Sequence, residues 1–599
     1  MSSDNYTFSK SETPQGFDLE SPFVSKQYNF VNDINSGVYA SSGLSLVQFD
    51  LSSIYNSAGF LAPADMYIAI PICYTAAYST STTTGALVAP VVGDWAQVGL
   101  KCGFWNLISS ADLVVDGKPL ESYQPNLNAY VGFKMLSQMS QDDLAGFGMT
   151  LGMGRVLDNP ESVKFNNTAS ATGVGVFPLG TGPVGGNGLS NCQPFVTPSN
   201  GGDQSLDGPQ NLNTSNVGLY TRLNRISDMT APATGNYLYN SGNAGSSIMT
   251  TNQCLSEFRP TYQVLNTNYA CWQDVAIVRM KDLFDSMKQF PLVKKFDAQL
   301  RLYLNVGTVG IQIGAVGSMT TSLSTNTFTN TCPLMISALT QANLLPAGAI
   351  SLVAGLSIAR QTATNVFGSI NLATSGSANA LTSCRVYYPM VELKPEKSIS
   401  YLSENRAKKV CYTTILSNTY NNISSASTFS TLVQSGVQRI RGVLIVPFLS
   451  GSTTGQLSLA TVVSGISSFS PLVSPFDTAP LQTGPISLIN LNCAVGGRNV
   501  LQNSLQYTYQ DWLEQVSNYE KIGASDLGIS CGLLSQYAWE NASRFYYIDC
   551  TRGTQADGAS LRNLTVTFLN NCQQTIDCLI FTEYFDEVTV NVADGRVTK

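Results

Sequence analysis

The chain contains no histidine in 599 residues. Ser-His-Asp triads, Cys-His pairs, His-ligated zinc or iron and imidazole general bases are therefore excluded within it. Charge is scarce too: Asp, Glu, Lys and Arg make up 12%, with a net charge of −7. The first 27 residues hold Asp4, Glu12, Asp18 and Glu20 against Lys10 and Lys26. No basic arm stands there to neutralise phosphates, so direct, sequence-specific nucleic-acid binding is not expected. No apolar run reaches the roughly 20 residues needed to span a bilayer; Ala347 to Ala359 is interrupted by serines and Val443 to Leu449 has strand length. The start, Met-Ser-Ser-Asp, lacks the charged-then-apolar pattern of a secretory leader. The 13 cysteines are odd in number and scattered. A disulfide framework belongs to much shorter chains, and Cys572 and Cys578 are too isolated for a zinc site, so free thiols made in a reducing compartment are expected. Asn-x-Ser/Thr triplets at Asn213 and Asn563 are then expected to stay unmodified.

Other signatures are missing or incomplete. There is no Walker A pattern, and the Gly-x-Gly-x-x-Gly match at Gly180, Gly182 and Gly185 contains Pro183 and leads into more Gly, Pro and Asn. A nucleotide fingerprint needs a strand before it and a helix after it, so this reads as loop. Two acidic pairs, Asp142 with Asp143 and Asp586 with Glu587, bear on glycoside hydrolysis. Neighbours on a strand point to opposite faces, and such pairs read as turn or edge charges. No catalytic, cofactor-binding or metal-binding residue is assigned, and no cofactor is expected.

What remains is 43% hydrophobic residues, 50 glycines, and abundant Ser, Thr and Asn between short apolar runs. That mixture predicts an all-β protein with many turns, and the length predicts two or more domains. In Phe296 to Asn305, Phe296, Ala298, Leu300, Leu302 and Leu304 share one strand face, with Asp297, Gln299, Arg301 and Tyr303 on the other. Leu564, Val566 and Phe568 alternate in the same way, as do Val588, Val590 and Val592. Helices are expected to be few, with 127–139, 281–290 and 508–519 the stretches where apolar residues recur at helical spacing.

The most informative pattern is an internal repeat. Met66-Tyr-Ile-Ala-Ile-Pro71 and Val443-Leu-Ile-Val-Pro447 both read as buried strands ending in proline. Each is followed by a hairpin signal, Val115-Asp-Gly-Lys-Pro-Leu120 and Val495-Gly-Gly-Arg-Asn-Val500. Asp-Gly and Gly-Gly supply the positive φ that tight hairpins require. An aromatic-rich helix follows each, and Arg301-Leu-Tyr-Leu is matched with Arg544-Phe-Tyr-Tyr. That last match places a long insertion in the first copy, at about 155–270, rich in Gly, Asn, Ser, Thr and Pro and suited to an exposed loop or tower. The join between copies is expected between Met390 and Val410, where Leu393-Lys-Pro-Glu-Lys breaks the strand pattern.

In this setting Phe49-Asp-Leu-Ser-Ser-Ile-Tyr-Asn-Ser-Ala-Gly-Phe60, Val115-Asp-Gly-Lys118, Arg301-Leu-Tyr-Leu-Asn305, Cys384-Arg-Val-Tyr-Tyr-Pro389 and Ser474-Pro-Phe-Asp-Thr478 resemble the double jelly-roll major capsid proteins of polinton-like viruses and virophages. The resemblance implies two tandem eight-stranded antiparallel jelly rolls. It implies an arm over 1–27, a first roll over 28–395 carrying the 155–270 insertion, and a second roll over 396–599. It further implies a homotrimeric, pseudo-hexameric capsomer of an icosahedral DNA-virus shell, located in the virion and assembled inside the host cell. The partners implied are neighbouring capsomers, penton and minor capsid proteins, and an inner membrane in some members. It implies no catalytic site. The alternatives are a surface or secreted β-sandwich adhesin or carbohydrate-binding protein, and a histidine-free glycosidase on a β scaffold.

Overall fold

In the computed structural model the described residues are 22–35, 39, 45–56, 59–79, 96–123, 125–154, 157, 261–266, 269–313, 319–325, 332–338, 351–358, 383–404, 406–450, 472, 481, 483, 486–501, 506–516, 532–541, 543–552, 561–572 and 575–599. Gly180 to Gly185, Asn213 and most of 155–270 lie outside them.

The strands of the first half are β1 (Phe23–Asn32), β2 (Ser45–Asp50), β3 (Phe60–Leu61), β4 (Tyr67–Ser79), β5 (Ala96–Leu100), β6 (Ile108–Val115), β7 (Lys118–Tyr123), β8 (Thr261–Asn266), β9 (Tyr269–Arg279), β10 (Ala298–Leu304), β11 (Gly307–Ile313), β12 (Met319–Thr325), β13 (Leu334–Ala338), β14 (Ser351–Ile358) and β15 (Arg385–Leu393). Those of the second half are β16 (Ala407–Ile423), β17 (Thr428–Val437), β18 (Ile440–Leu449), β19 (Leu488–Val495), β20 (Arg498–Asn499), β21 (Tyr546–Asp549), β22 (Arg562–Asn570), β23 (Ile576–Asn591) and β24 (Val597–Thr598).

In the second half β16-β23-β18-β21 form one sheet and β17-β22-β19-β20 the other, with every pair antiparallel. Counted along the chain, the strands therefore pair first-eighth-third-sixth and second-seventh-fourth-fifth. In the first half β1-β15-β4-β9 and β2-β10-β6-β7 repeat that order. Two Greek keys wound in this way make a jelly roll. The chain is a double jelly roll.

The local sequence explains the recurring pieces. Asp116 and Gly117 both have positive φ, 50° and 70°, between β6 and β7, and Gly496 and Gly497 have 58° and 82° between β19 and β20. Two positive-φ residues give the turn whose twist suits a two-residue hairpin. Pro71 and Pro447 sit in equivalent strands, β4 and β18, each where a neighbour ends. β15 pairs with β4 only as far as Ala69 and β14 only from Ile72, while β21 pairs with β18 only up to Ile445. A residue without an N–H is tolerated where one edge lacks a partner. Helix α1 (Leu127–Gln138) follows the first hairpin, and helix α2 (Gln141–Phe147) begins on a capping box in which Ser140 and Asp143 bond reciprocally. Two short helices, α3 (Met280–Leu283) and α4 (Asp285–Gln289), stand where one was expected, because the chain turns extended at Phe284. α5 (Pro395–Glu404) lies in the stretch where the strand pattern breaks, and α6 (Tyr509–Val516) and α7 (Gln536–Asn541) follow the second hairpin.

Two sequence expectations change. Arg301 lies on β10, the seventh strand of its roll, whereas Arg544 precedes β21, the sixth strand of the other. The true counterpart of β10 is β22, so the fourth repeat match is not an equivalence. A second inserted segment separates β10 from β15, where the other roll has only a short turn between β22 and β23. From it β14, β11 and β12 add in succession to the far half of β4, while β8, at the end of the 155–270 stretch, adds to β9, so the sheet continues past the roll. The opening strand also starts at Phe23, inside the stretch read as an arm, and pairs along β15 from Leu393 to Arg385.

Candidate functional site

The two rolls meet along a buried seam centred on α1. Ten of its 12 residues are buried, because the helix has protein on both sides. Phe133, fully buried, stacks on Tyr547 at 5.4 Å and meets Trp512 and Phe545 edge-on at 6.2 and 5.9 Å. Tyr130 packs on Phe581 at 5.8 Å. Aromatic pairs in this range add to the area they bury. One apolar cluster runs from Val47 of the first roll to Val590 of the second.

Polar groups fix the register of this contact. Glu583 on β23 is completely buried, and its carboxylate accepts hydrogen bonds from the hydroxyls of Tyr130, at 2.8 Å, and Tyr547, at 3.0 Å. One donor comes from each roll, so the acid reads whether both are seated. Glu121 on β7 is also buried; it accepts the N–H groups of Ser286, at 2.6 Å, and Asp285, at 3.2 Å, together with the Tyr123 hydroxyl. Burial pushes its carboxyl up to about 8, against the lowering effect of Ser286. Asp285 in turn accepts the Thr413 N–H of the second roll at 2.8 Å. Tyr412 reaches the Leu120 carbonyl and the Asp586 carboxylate, both at 3.2 Å, and Lys118 donates to the Val597 carbonyl at 2.6 Å.

Gly442 is part of the same device. A Cβ there would collide with the Tyr547 hydroxyl, which donates to Glu583. Gly442→Ala is therefore expected to displace that hydroxyl and cost about 1–3 kcal/mol, the range for leaving a buried acceptor short of a donor. Comparing urea unfolding of the variant and the parent checks this, and an unchanged midpoint would refute it.

Of the acidic pairs weighed from the sequence, Asp142 is exposed in the first turn of α2 and the other three acids have structural partners. Asp143 caps α2, and hydrogen bonds from Ser140 hold its carboxyl below the usual range. Asp586 bonds Tyr412 and pairs with Lys599, while Glu587 pairs with Lys409 at 2.8 Å and Arg439 at 2.9 Å. The two point to opposite sides of β23, as alternation requires. Nine cysteines are free among the described residues, including Cys572 and Cys578. Among those residues no three His, Cys, Asp or Glu side chains are grouped to hold a metal, and no helix is long and apolar enough to cross a membrane.

The outer surface carries one further feature. On β1, an end strand of its sheet, Tyr28 and Phe30 are 50% and 47% exposed. They continue a row in which Tyr67 stacks on Tyr387 at 4.9 Å and Arg385 lies 4.4 Å over Phe30. Sequence reasoning missed both this row and the seam acids. The available signal for one of them was Glu583 standing inside the apolar run from Leu579 to Phe585.

No family model matches the sequence, and no curated protein sequence matches it. Solved structures do. A chain of the Sputnik virophage structure determined by cryo-EM is 11% identical, with 98% of this chain and 91% of that chain covered and a TM-score of 0.49. The Faustovirus major capsid protein is 10% identical, covering 96% and 92%, with a TM-score of 0.39. A chain of the PBCV-1 virus capsid is 9% identical, covering 99% and 100%, with a TM-score of 0.40. The double jelly roll itself is read from the strand order of this chain.

Proposed function

We propose that this protein is the major capsid protein of an icosahedral virus and acts as a structural block rather than an enzyme. The observation that carries the reading is the fusion of two jelly rolls of identical strand order through a fully buried seam. Such a chain presents two equivalent sandwiches in fixed relation, and three copies around an axis would present six, the outline of a pseudo-hexameric capsomer. Closed symmetry also uses low charge density well, because copies repel one another little. The exposed aromatic residues of β1, with Arg385 of β15 over Phe30, have the composition that protein contacts favour.

On this reading the first roll opens with β1 and the second follows α5. The segment 155–270 decorates the outer surface, the protein resides in the virion after assembly in the host cell, and its partners are neighbouring capsomers with penton and minor proteins. Light scattering coupled to size exclusion is expected to give a particle of three times 64.2 kDa that persists on dilution. A clean monomer would overturn the capsomer and favour a surface-binding role.

A further inference from the structure

Two thiols meet inside the second roll. Cys493 lies on β19 in one sheet, and Cys550 follows directly after β21 in the other. Their sulfurs are 3.9 Å apart, and the residues are 0% and 1% exposed. A disulfide requires sulfurs at about 2.05 Å, and these two, brought together from opposite sheets, already lie in contact.

We propose that Cys493 and Cys550 are a latent cross-sheet disulfide, formed when the protein meets a peroxide-class oxidant. One sulfur, as its thiolate, attacks a peroxide oxygen. The O–O bond breaks, a hydroxide leaves and takes the released proton as water, and a sulfenic acid remains. The second thiol attacks that sulfur, the S–O bond breaks, and a second water leaves. Two S–H bonds and one O–O bond are lost, one S–S bond and two O–H bonds are gained; the cysteines are oxidised and the peroxide is reduced to two waters.

The hydrogen bond to Cys493, together with burial, holds the Cys550 thiol well above its usual range. Thiolate is therefore scarce while the core is closed, and the reaction proceeds through brief openings of the roll. Once formed, the bond joins strands 57 residues apart. It restricts the unfolded chain across the hairpin, α6 and α7, which is how such links stabilise a fold.

The test uses the full chain, purified with reductant and then split between hydrogen peroxide and buffer. Both samples are unfolded in an alkylating reagent, digested and weighed. The oxidised sample is expected to yield a peptide joining Cys493 to Cys550, two hydrogens lighter than the sum of its parts. Its apparent melting midpoint is expected to rise by roughly 2–4 °C and to return on adding dithiothreitol. Cys493→Ala should remove both effects; if that variant does not fold, the peptide map of the parent chain decides alone. Separate alkylated or sulfonated Cys493 and Cys550, alongside oxidation of the exposed Cys411, would overturn the proposal.

Discussion

Phe133→Ala is expected to lower the stability of the whole chain by about 3–5 kcal/mol, the cost of deleting a large ring from a close-packed site. Phe133 has no exposed surface, and its neighbours Trp512, Phe545 and Tyr547 belong to the other roll. None of them can fill the space by moving alone, because each is also held by its own roll: Trp512 stacks on Trp539 and Tyr547 bonds Glu583. The loss should therefore be felt in both halves. Guanidinium unfolding followed by tryptophan fluorescence reads it directly, since Trp512 reports on the cavity. Phe147→Ala is the control: that ring is 55% exposed, and its loss should stay within about 0.5 kcal/mol. A Phe133 variant as stable as the control would mean that the seam repacks and does not weld the rolls.

The second large effect is a dependence on pH. Glu121 has an ordinary carboxyl value of 4.5 when exposed and about 8 when buried in the fold. The folded state then binds more protons than the unfolded state between those values, so stability falls as pH rises. Its contribution is fully present below about 4.5 and is lost by about 8, with a slope approaching about 1.4 kcal/mol per pH unit. The groups facing the carboxyl are Asp285 from α4, which opposes ionisation, Lys134 from α1, which favours it, Tyr123 from β7, and Tyr412 from β16 and Tyr584 from β23 across the seam. Glu121→Gln keeps an acceptor oxygen for the Ser286 N–H, gives up the one that faces the Asp285 N–H and the Tyr123 hydroxyl, and cannot ionise. Measured by urea unfolding across pH 5–8, the difference between parent and variant should carry that slope. Parallel pH profiles would show that the three donors around Glu121 keep it ionised throughout.

Features set by local chemistry were legible in the sequence. Asp116-Gly117 and Gly496-Gly497 announce their hairpins because few other pairs accept two positive φ angles, and Leu300, Leu302 and Leu304 announce a core face by period alone. The helices after each hairpin followed from the same kind of pattern. What failed was equivalence at a distance. Arg301-Leu-Tyr-Leu and Arg544-Phe-Tyr-Tyr look alike because arginine beside aromatic residues suits many strands, and nothing local says which strand of a roll each one is. The inserted segment between β10 and β15 was missed for that reason. The seam acids were hidden differently: Glu121 and Glu583 are ordinary glutamates until Tyr130, Tyr547 and the start of α4 arrive from far along the chain to receive them.

The distance spanned by the Tyr130 to Glu583 bond, 453 residues, has a consequence for synthesis. At about 5–20 residues per second, a ribosome needs roughly 20–90 s to travel from one to the other. Throughout that interval α1 has emerged without the surface that covers Tyr130 and Phe133. The newborn first roll thus carries an uncovered aromatic flank until the last strands appear, which makes this interval the period when a nascent chain most needs shielding from its siblings on the same message.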